Sequence, residues 1–136
     1  NLDEINTSDF ISNLTQNYPK LQILINNSNQ IFIRKNQITR AIINILDNAD
    51  KFAEKIFISS NILGNNWAIE IEDNGPGTTL SQEQLIRPFV KGTDQLNHGT
   101  GLGLSIVQKL IKLNNGELKF QKSLHGGLKV TVILQI

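Results

Sequence analysis

The sequence predicts a two-layer α/β (α+β) sandwich. About three helices cover one face of a mixed, mostly antiparallel five-stranded sheet accompanied by a hairpin. Three observations carry that prediction. Two amphipathic helical stretches, 38–52 and 102–113, are interspersed with short runs of two-residue periodicity. Asn- and Gly-rich turn signals separate those runs. The chain has 136 residues, 39% of them hydrophobic and 18% charged, which suits one domain, 1–136, with a core of its own.

Taken in order, Ser8 to Tyr18 carries Phe10, Ile11, Leu14 and Tyr18 at helical spacing, with Ser8 as the N-cap. Leu21-Ile23-Ile25 and Ile31-Ile33 alternate on either side of Asn27-Ser28-Asn29 and predict a hairpin. Ile38, Ala41, Ile42, Ile45, Leu46, Ala49 and Phe52 recur at three- and four-residue steps, the strongest helical pattern of the chain. Ile56-Ile58 and Trp67-Ile69-Ile71 predict two strands joined through Gly64-Asn65-Asn66. From Asp73 to Gly103 glycines and prolines break every period, so a lid spanning Thr78 to Thr100 is expected over a site, with Phe89 as its apolar anchor. Leu102 to Leu113 is helical and ends in an Asn114-Asn115-Gly116 cap. Leu118-Phe120 and Val130-Val132-Leu134 close the chain as strands around Gly126-Gly127.

Composition removes several function classes. Cys is absent, which excludes disulfide scaffolds, thiolate metal sites and Cys nucleophiles. Thirteen basic and twelve acidic residues leave a net charge of +1, with no electrostatic footprint for nucleic acid or anionic membrane. No apolar run approaches the ~20 residues of a membrane span. The chain opens on Asn, which predicts a piece of something longer.

Three constellations carry chemistry. On the central helix, Asn44, Asn48 and Lys51 fall within about 60° of one another along a border of the apolar arc. An amide oxygen suits Mg²⁺ and a neighbouring ammonium suits phosphate, although a solvated helix flank has the same pattern. Asp73 ends the row of Trp67, Ile69 and Ile71, where a carboxylate must find donors or shift its pKa. The exocyclic amine of a purine is such a donor; a turn cap at Asn74-Gly75 is the competing reading. Finally, His98-Gly99-Thr100-Gly101-Leu102-Gly103-Leu104 opens a helix, as phosphate-binding loops do, yet matches neither a dinucleotide fingerprint nor a P-loop. His98 and His125 each precede Gly and have no partner at metal-ligand spacing, so both read as surface histidines.

In this order the motifs resemble the ATP-binding catalytic domain of bacterial sensor histidine kinases, in the superfamily shared with gyrase-type ATPases and the mismatch-repair MutL protein. Asn44-Ile45-Leu46-Asp47-Asn48-Ala49-Asp50-Lys51-Phe52 is similar to the family's N box and Asp73-Asn74-Gly75-Pro76-Gly77 to its first glycine box. Arg87-Pro88-Phe89-Val90-Lys91-Gly92 is similar to the F box, and Gly99 to Ile106 to the second glycine box. Phe89-Val90-Lys91-Gly92 and His125-Gly126-Gly127-Leu128 are most similar to osmosensor-type kinases. The chain departs from the pattern at Thr78, Ile86 and Gln135, departures that bear on lid geometry.

The resemblance implies a Bergerat-type fold that binds ATP with Mg²⁺. It implies that Asn48 holds the metal while Asn44 and Lys51 act at the phosphates, that Phe52 stacks on adenine, and that Asp73 accepts from the adenine amine. Gly75 and Gly77 would shape the wall, Thr100, Gly101, Leu102 and Gly103 would cradle phosphates, Phe89 and Lys91 would act from the lid, and Thr131 would complete the adenine floor. Hydrolytic relatives carry a Glu as general base where this chain has Asn44, which cannot take a proton. Asp50 lies about 160° around the helix from Asn48.

The implied activity is therefore transfer of the γ-phosphate to a histidine in a two-component relay. The partners are a histidine-bearing dimerisation domain of the same protein, a homodimer in full length, and a response regulator. The domain would be cytoplasmic, part of an inner-membrane sensor, and would not itself touch membrane. A superfamily ATPase, a serine protein kinase and a non-catalytic nucleotide-binding domain are the rival readings.

Overall fold

The computed structural model describes residues 1–77 and 103–136. The elements run β1 (Asp3–Asn6), α1 (Thr7–Thr15), β2 (Leu21–Asn26), β3 (Gln30–Ile33), α2 (Lys35–Phe52), β4 (Ile56–Leu63), β5 (Asn66–Asp73), α3 (Gly103–Leu113), β6 (Glu117–Lys122) and β7 (Leu128–Gln135). Five strands form one mixed sheet in the order β2-β4-β5-β7-β6, with β2 parallel to β4 and the other pairs antiparallel. The expected lid and its Phe89 anchor lie outside the described residues.

Alternation along β5 decides which face is covered. Trp67, Ile69 and Ile71 are fully buried toward the helices, opposite Leu134, Val132 and Val130 of β7. The helices answer with Ile38, Ile42, Leu46, Val107 and Ile111, all at most 1% exposed. Trp67 shows how this core admits a polar atom. Its ring meets Phe10 edge-on at 5.8 Å, and its indole N–H donates to the buried Ser60 hydroxyl at 2.8 Å.

Two expectations are corrected at the amino end. β2 and β3 do not form a hairpin: β2 joins β4, and β3 pairs with β1 in a separate two-stranded ribbon. The reason lies in the Asn27-Ser28-Asn29 connection. The Asn27 N–H donates to the Ser60 carbonyl and its side-chain oxygen accepts from Ile62 N–H, so the chain runs on along β4 past the end of β2. The buried Thr7 then accepts from Asn29 N–H and donates to the Asn27 carbonyl, turning the chain toward β1. The second correction concerns the cap of α1. Asn6, not Ser8, caps the helix, its side chain accepting from Asp9 N–H at 3.0 Å, and the helix ends at Thr15 with Tyr18 beyond it.

The α3 terminus follows expectation. Asn115 takes the left-handed conformation, φ +56°, and its N–H reaches the Lys112 carbonyl while Gly116 N–H reaches that of Ile111. Asn114 donates to Gln37, and Arg34 donates to the Leu113 carbonyl and the Asn114 side chain. These bonds tie the end of α3 to the start of α2. The two helices therefore run antiparallel, and the start of α3 lies beside the second half of α2.

Candidate functional site

A small cavity opens between that second half of α2, the start of α3 and the ends of β5 and β7. Asn48 and Ala49 come from α2, Ile71 and Asp73 from β5, Leu104 from α3, and Leu128 and Val130 from β7. The walls are apolar; Asn48 and Asp73 supply the polar groups.

Asp73 stands at the last position of β5, where alternation aims it at the helices. Its Oδ1 accepts from Gly75 N–H at 2.9 Å and from Leu128 N–H at 3.3 Å. Burial nevertheless dominates and raises its pKa above the ordinary carboxylate value, with the two backbone donors pulling the other way. Gly75 N–H makes Asp73 a turn cap, and its carboxyl also lines the cavity.

The Asp-Asn-Gly run has a second use that the sequence did not disclose. Asn74 accepts from Glu54 N–H at 3.0 Å and Lys55 N–H at 2.8 Å, and its own N–H donates to the Lys55 carbonyl. That locks the end of β5 onto the segment leaving α2. A Cβ at Gly75 would sit 3.1 Å from Asp73 Oδ1, a tight approach to which the carboxylate would have to yield, and 3.5 Å, an ordinary contact, from the Phe52 carbonyl. Gly77, at φ +74°, packs on the Gly126 carbonyl.

Asn44 and Asn48 are half-buried on α2, and Lys51 is exposed. Phe52, also half-buried, ends the helix. The aspartates flanking Asn48 are engaged elsewhere. Asp47 accepts from the Tyr18 hydroxyl, and Asp50 lies 3.9 Å from Lys20 Nζ. Burial first, and Asp47 second, push the Tyr18 phenol pKa up, so it stays a donor.

Thr131 does not join the cavity. It pairs across from Glu70, on the sheet face that also bears Lys129 and Glu72, while Val130 and Leu128 face the cavity. The expected place of Thr131 in the floor is therefore corrected: it stands on the sheet face away from the cavity, which Leu128 and Val130 line instead. Gly103 opens α3 and its neighbour Leu104 lines the cavity. Phe89, Lys91, Thr100, Gly101, Leu102 and His98 lie outside the described residues. His125 is exposed, with its ring stacked on Phe57 at 4.0 Å.

The family model of histidine kinase-, DNA gyrase B- and HSP90-like ATPases matches residues 33–136, from the end of β3 through all the cavity's walls. The chain belongs to that family. Membership supports ATP as the ligand of this ATPase-family domain. Among relatives, the chain is similar to the sensor protein PhoQ of Escherichia coli O157:H7, at 32% identity over 100 residues, covering 73% of this chain and 21% of PhoQ. It is similar to the sensor histidine kinase CpxA of Escherichia coli strain K12, at 33% over 106 residues, covering 74% of this chain and 23% of CpxA. The chain thus matches about a fifth of the length of these curated relatives.

Among solved structures, the histidine kinase domain of the E. coli osmosensor EnvZ superposes with a TM-score of 0.72 at 28% identity, covering 98% of this chain and 88% of that one. The residues matched by the family model include the Asn44–Phe52 and Asp73–Gly77 motifs.

Proposed function

We propose that this chain binds ATP with Mg²⁺ and donates the γ-phosphate to a histidine on a dimerisation domain outside these residues, in a homodimeric sensor kinase that feeds a response regulator. The observation that carries the reading is that Asn48 and a half-buried Asp73 carboxylate line one otherwise apolar cavity. An apolar cavity with an acceptor in its wall suits a purine with an exocyclic amine. An amide oxygen at its rim suits a hard divalent cation.

In this reading Asp73 accepts from the amine, Phe52 stacks on the base, and Leu128 and Val130 floor it. Asn48 would hold Mg²⁺, with Asn44 and Lys51 at the phosphates and Gly103 among the backbone donors near them. Among the described residues no group of three His, Cys, Asp or Glu could hold a metal by itself. A cation at Asn48 would take its other ligands from phosphate and water, as Mg²⁺ commonly does. When bound it supplies charge neutralisation of the triphosphate. Phosphoryl transfer rests mainly on positioning and electrostatics, which suits Asn44, an amide that cannot act as a base.

Among the described residues no helix is long and apolar enough to cross a membrane. A place on the cytoplasmic side of an inner-membrane sensor belongs to the same proposal.

The test is radiolabelled ATP, offered first to the domain alone and then with a separate histidine-bearing dimerisation domain. Acid-labile, base-stable label is expected on the partner and none on the chain. Label on Ser or Thr of the partner would replace this reading with the serine-kinase one. Calorimetry of Asn48→Ala is the second arm: ATP affinity should lose its dependence on Mg²⁺. A dependence as steep as in the parent protein would move the metal elsewhere.

A further inference from the structure

The loop between β6 and β7 approaches Asp73 more closely than a plain hairpin connection requires. β7 pairs with β5 through Lys129 and Glu72, which brings Gly127 and Leu128 alongside Asp73. Gly127 N–H donates to the Asp73 carbonyl at 3.1 Å, while Leu128 N–H reaches Asp73 Oδ1. A Cβ built on Gly127 would lie 1.9 Å from Asp73 Oδ1, 2.6 Å from the Asp73 carbonyl oxygen and 2.8 Å from Gly75 N. Two of those neighbours are backbone and the third is the carboxylate itself, so a side chain here must displace Asp73. The adjacent Gly126 differs: a Cβ there would meet nothing within 4 Å.

The loop is also held shut. Ser123 N–H donates to the Gly127 carbonyl at 2.8 Å, and Gly126 N–H donates to that of Ser123 at 3.1 Å. The Ser123 hydroxyl, 3% exposed as a residue, donates to Glu72 and accepts from His125 N–H, each at 3.0 Å. The His125 ring stacks on Phe57, whose partner across the ladder is Glu72. The loop is therefore fastened to the residue before Asp73 and to the next strand. Both N–H groups that hold the Asp73 carboxylate converge on Oδ1. No hydrogen bond among the described residues uses Oδ2.

We propose that Gly127, braced by Ser123 and Glu72, is a positioning residue that sets base selectivity: it lets the Asp73 carboxylate stand where it reads the exocyclic amine of a purine. The proposal rests on the nucleotide reading of Asp73 given above. It makes the β6–β7 loop part of the recognition apparatus although its side chains do not line the cavity.

The experiment compares the affinities of ATP and of purine riboside triphosphate, which lacks the exocyclic amine, for the full chain by calorimetry. The parent should prefer ATP by about tenfold or more, the worth of one hydrogen bond to a charged acceptor. Asp73→Asn and Gly127→Ala should each bring that ratio to within about threefold of unity, the analogue binding as it does to the parent. Ser123→Ala, which leaves Gly127 in place and loosens its brace, should bring the ratio to an intermediate value.

A merely structural role for Gly127 would weaken both nucleotides alike, and that result would overturn the proposal. So would a parental ratio in Gly127→Ala. Should Gly127→Ala not fold, a parental ratio in Ser123→Ala would sink the proposal and a reduced one would support it. A parental ratio in Asp73→Asn would instead reject the purine assignment itself, which separates the two failures.

Discussion

At the scale of single residues, Asp73 shows a cavity carboxylate held against its own stability preference. Burial raises its pKa, so the folded protein holds the proton more tightly than the unfolded chain does. The stability this provides is complete below the unfolded carboxylate pKa and is lost as pH rises through the folded one. At neutral pH the ionised group is a net cost of folding. Asn keeps an oxygen for the Gly75 and Leu128 donors and carries no charge to desolvate. Asp73→Asn should therefore be at least as stable as the parent at neutral pH. The advantage should shrink as pH falls toward about 4, where Asp in the unfolded chain takes up its proton. Urea unfolding across that pH range is the check; a variant less stable at pH 7 than at pH 4, relative to the parent, would show the carboxylate to be structurally favourable.

At the scale of elements, legibility followed whether a signal was local. The helices and β4 to β7 were readable because their periods are strong and their turns carry Gly or Asn, as at Gly64, which takes φ +61°. β1 was not: Asp3 to Asn6 contains one buried apolar side chain, Ile5, and its partner β3 lies more than twenty residues on. The pairing of β2 was lost for the same reason, since the Asn27 and Thr7 bonds that redirect the chain join residues far apart in sequence. The site divides likewise. Asn48 and Asp73 stand in contiguous motifs and were visible, whereas Leu128, Val130 and the close approach of Gly127 depend on strand register. The Gly126-Gly127 doublet was the available signal, and it read as a turn. Local signals also permit a local test. Asn115 holds the left-handed position that closes α3, and Gly116 has no room for a Cβ, with Ile111, Ile133 and Leu134 atoms 2.8 Å from where it would be. Asn115→Ala should cost about 1 kcal/mol in chemical unfolding, because Ala tolerates that backbone less well, and Asn115→Gly should cost nothing. Equal stability of the Ala and Gly variants would show that the cap does not govern this helix end.

At the scale of the whole molecule, the proposed site would hold a nucleotide without a carboxylate of α2 to activate water. The apolar face of α2 packs on the sheet, its border carries Asn44 and Asn48, Asp47 accepts from Tyr18, and Asp50 lies about 160° around the helix from Asn48, 3.9 Å from Lys20 Nζ. No carboxylate of α2 is thereby left on the Asn48 side of the helix to take a proton from a water at the γ-phosphate, and Asn44 has no basic lone pair to offer. Phosphate release by the chain alone at saturating ATP should accordingly be slow, far below the rate of transfer to a histidine-bearing partner. A positioned base is typically worth about 10²- to 10⁴-fold. Asn44→Glu places a carboxylate one helical turn before Asn48, and an unoptimised base there should still raise partner-free phosphate release by roughly tenfold or more. Transfer to the partner should gain nothing from the same substitution, since an imidazole nucleophile needs no base on this chain. Coupled-enzyme measurement of phosphate release, beside label transfer in the same preparations, reads both rates. Fast release by the unsubstituted chain would show that water is activated here after all and return the domain to the hydrolytic branch of its family.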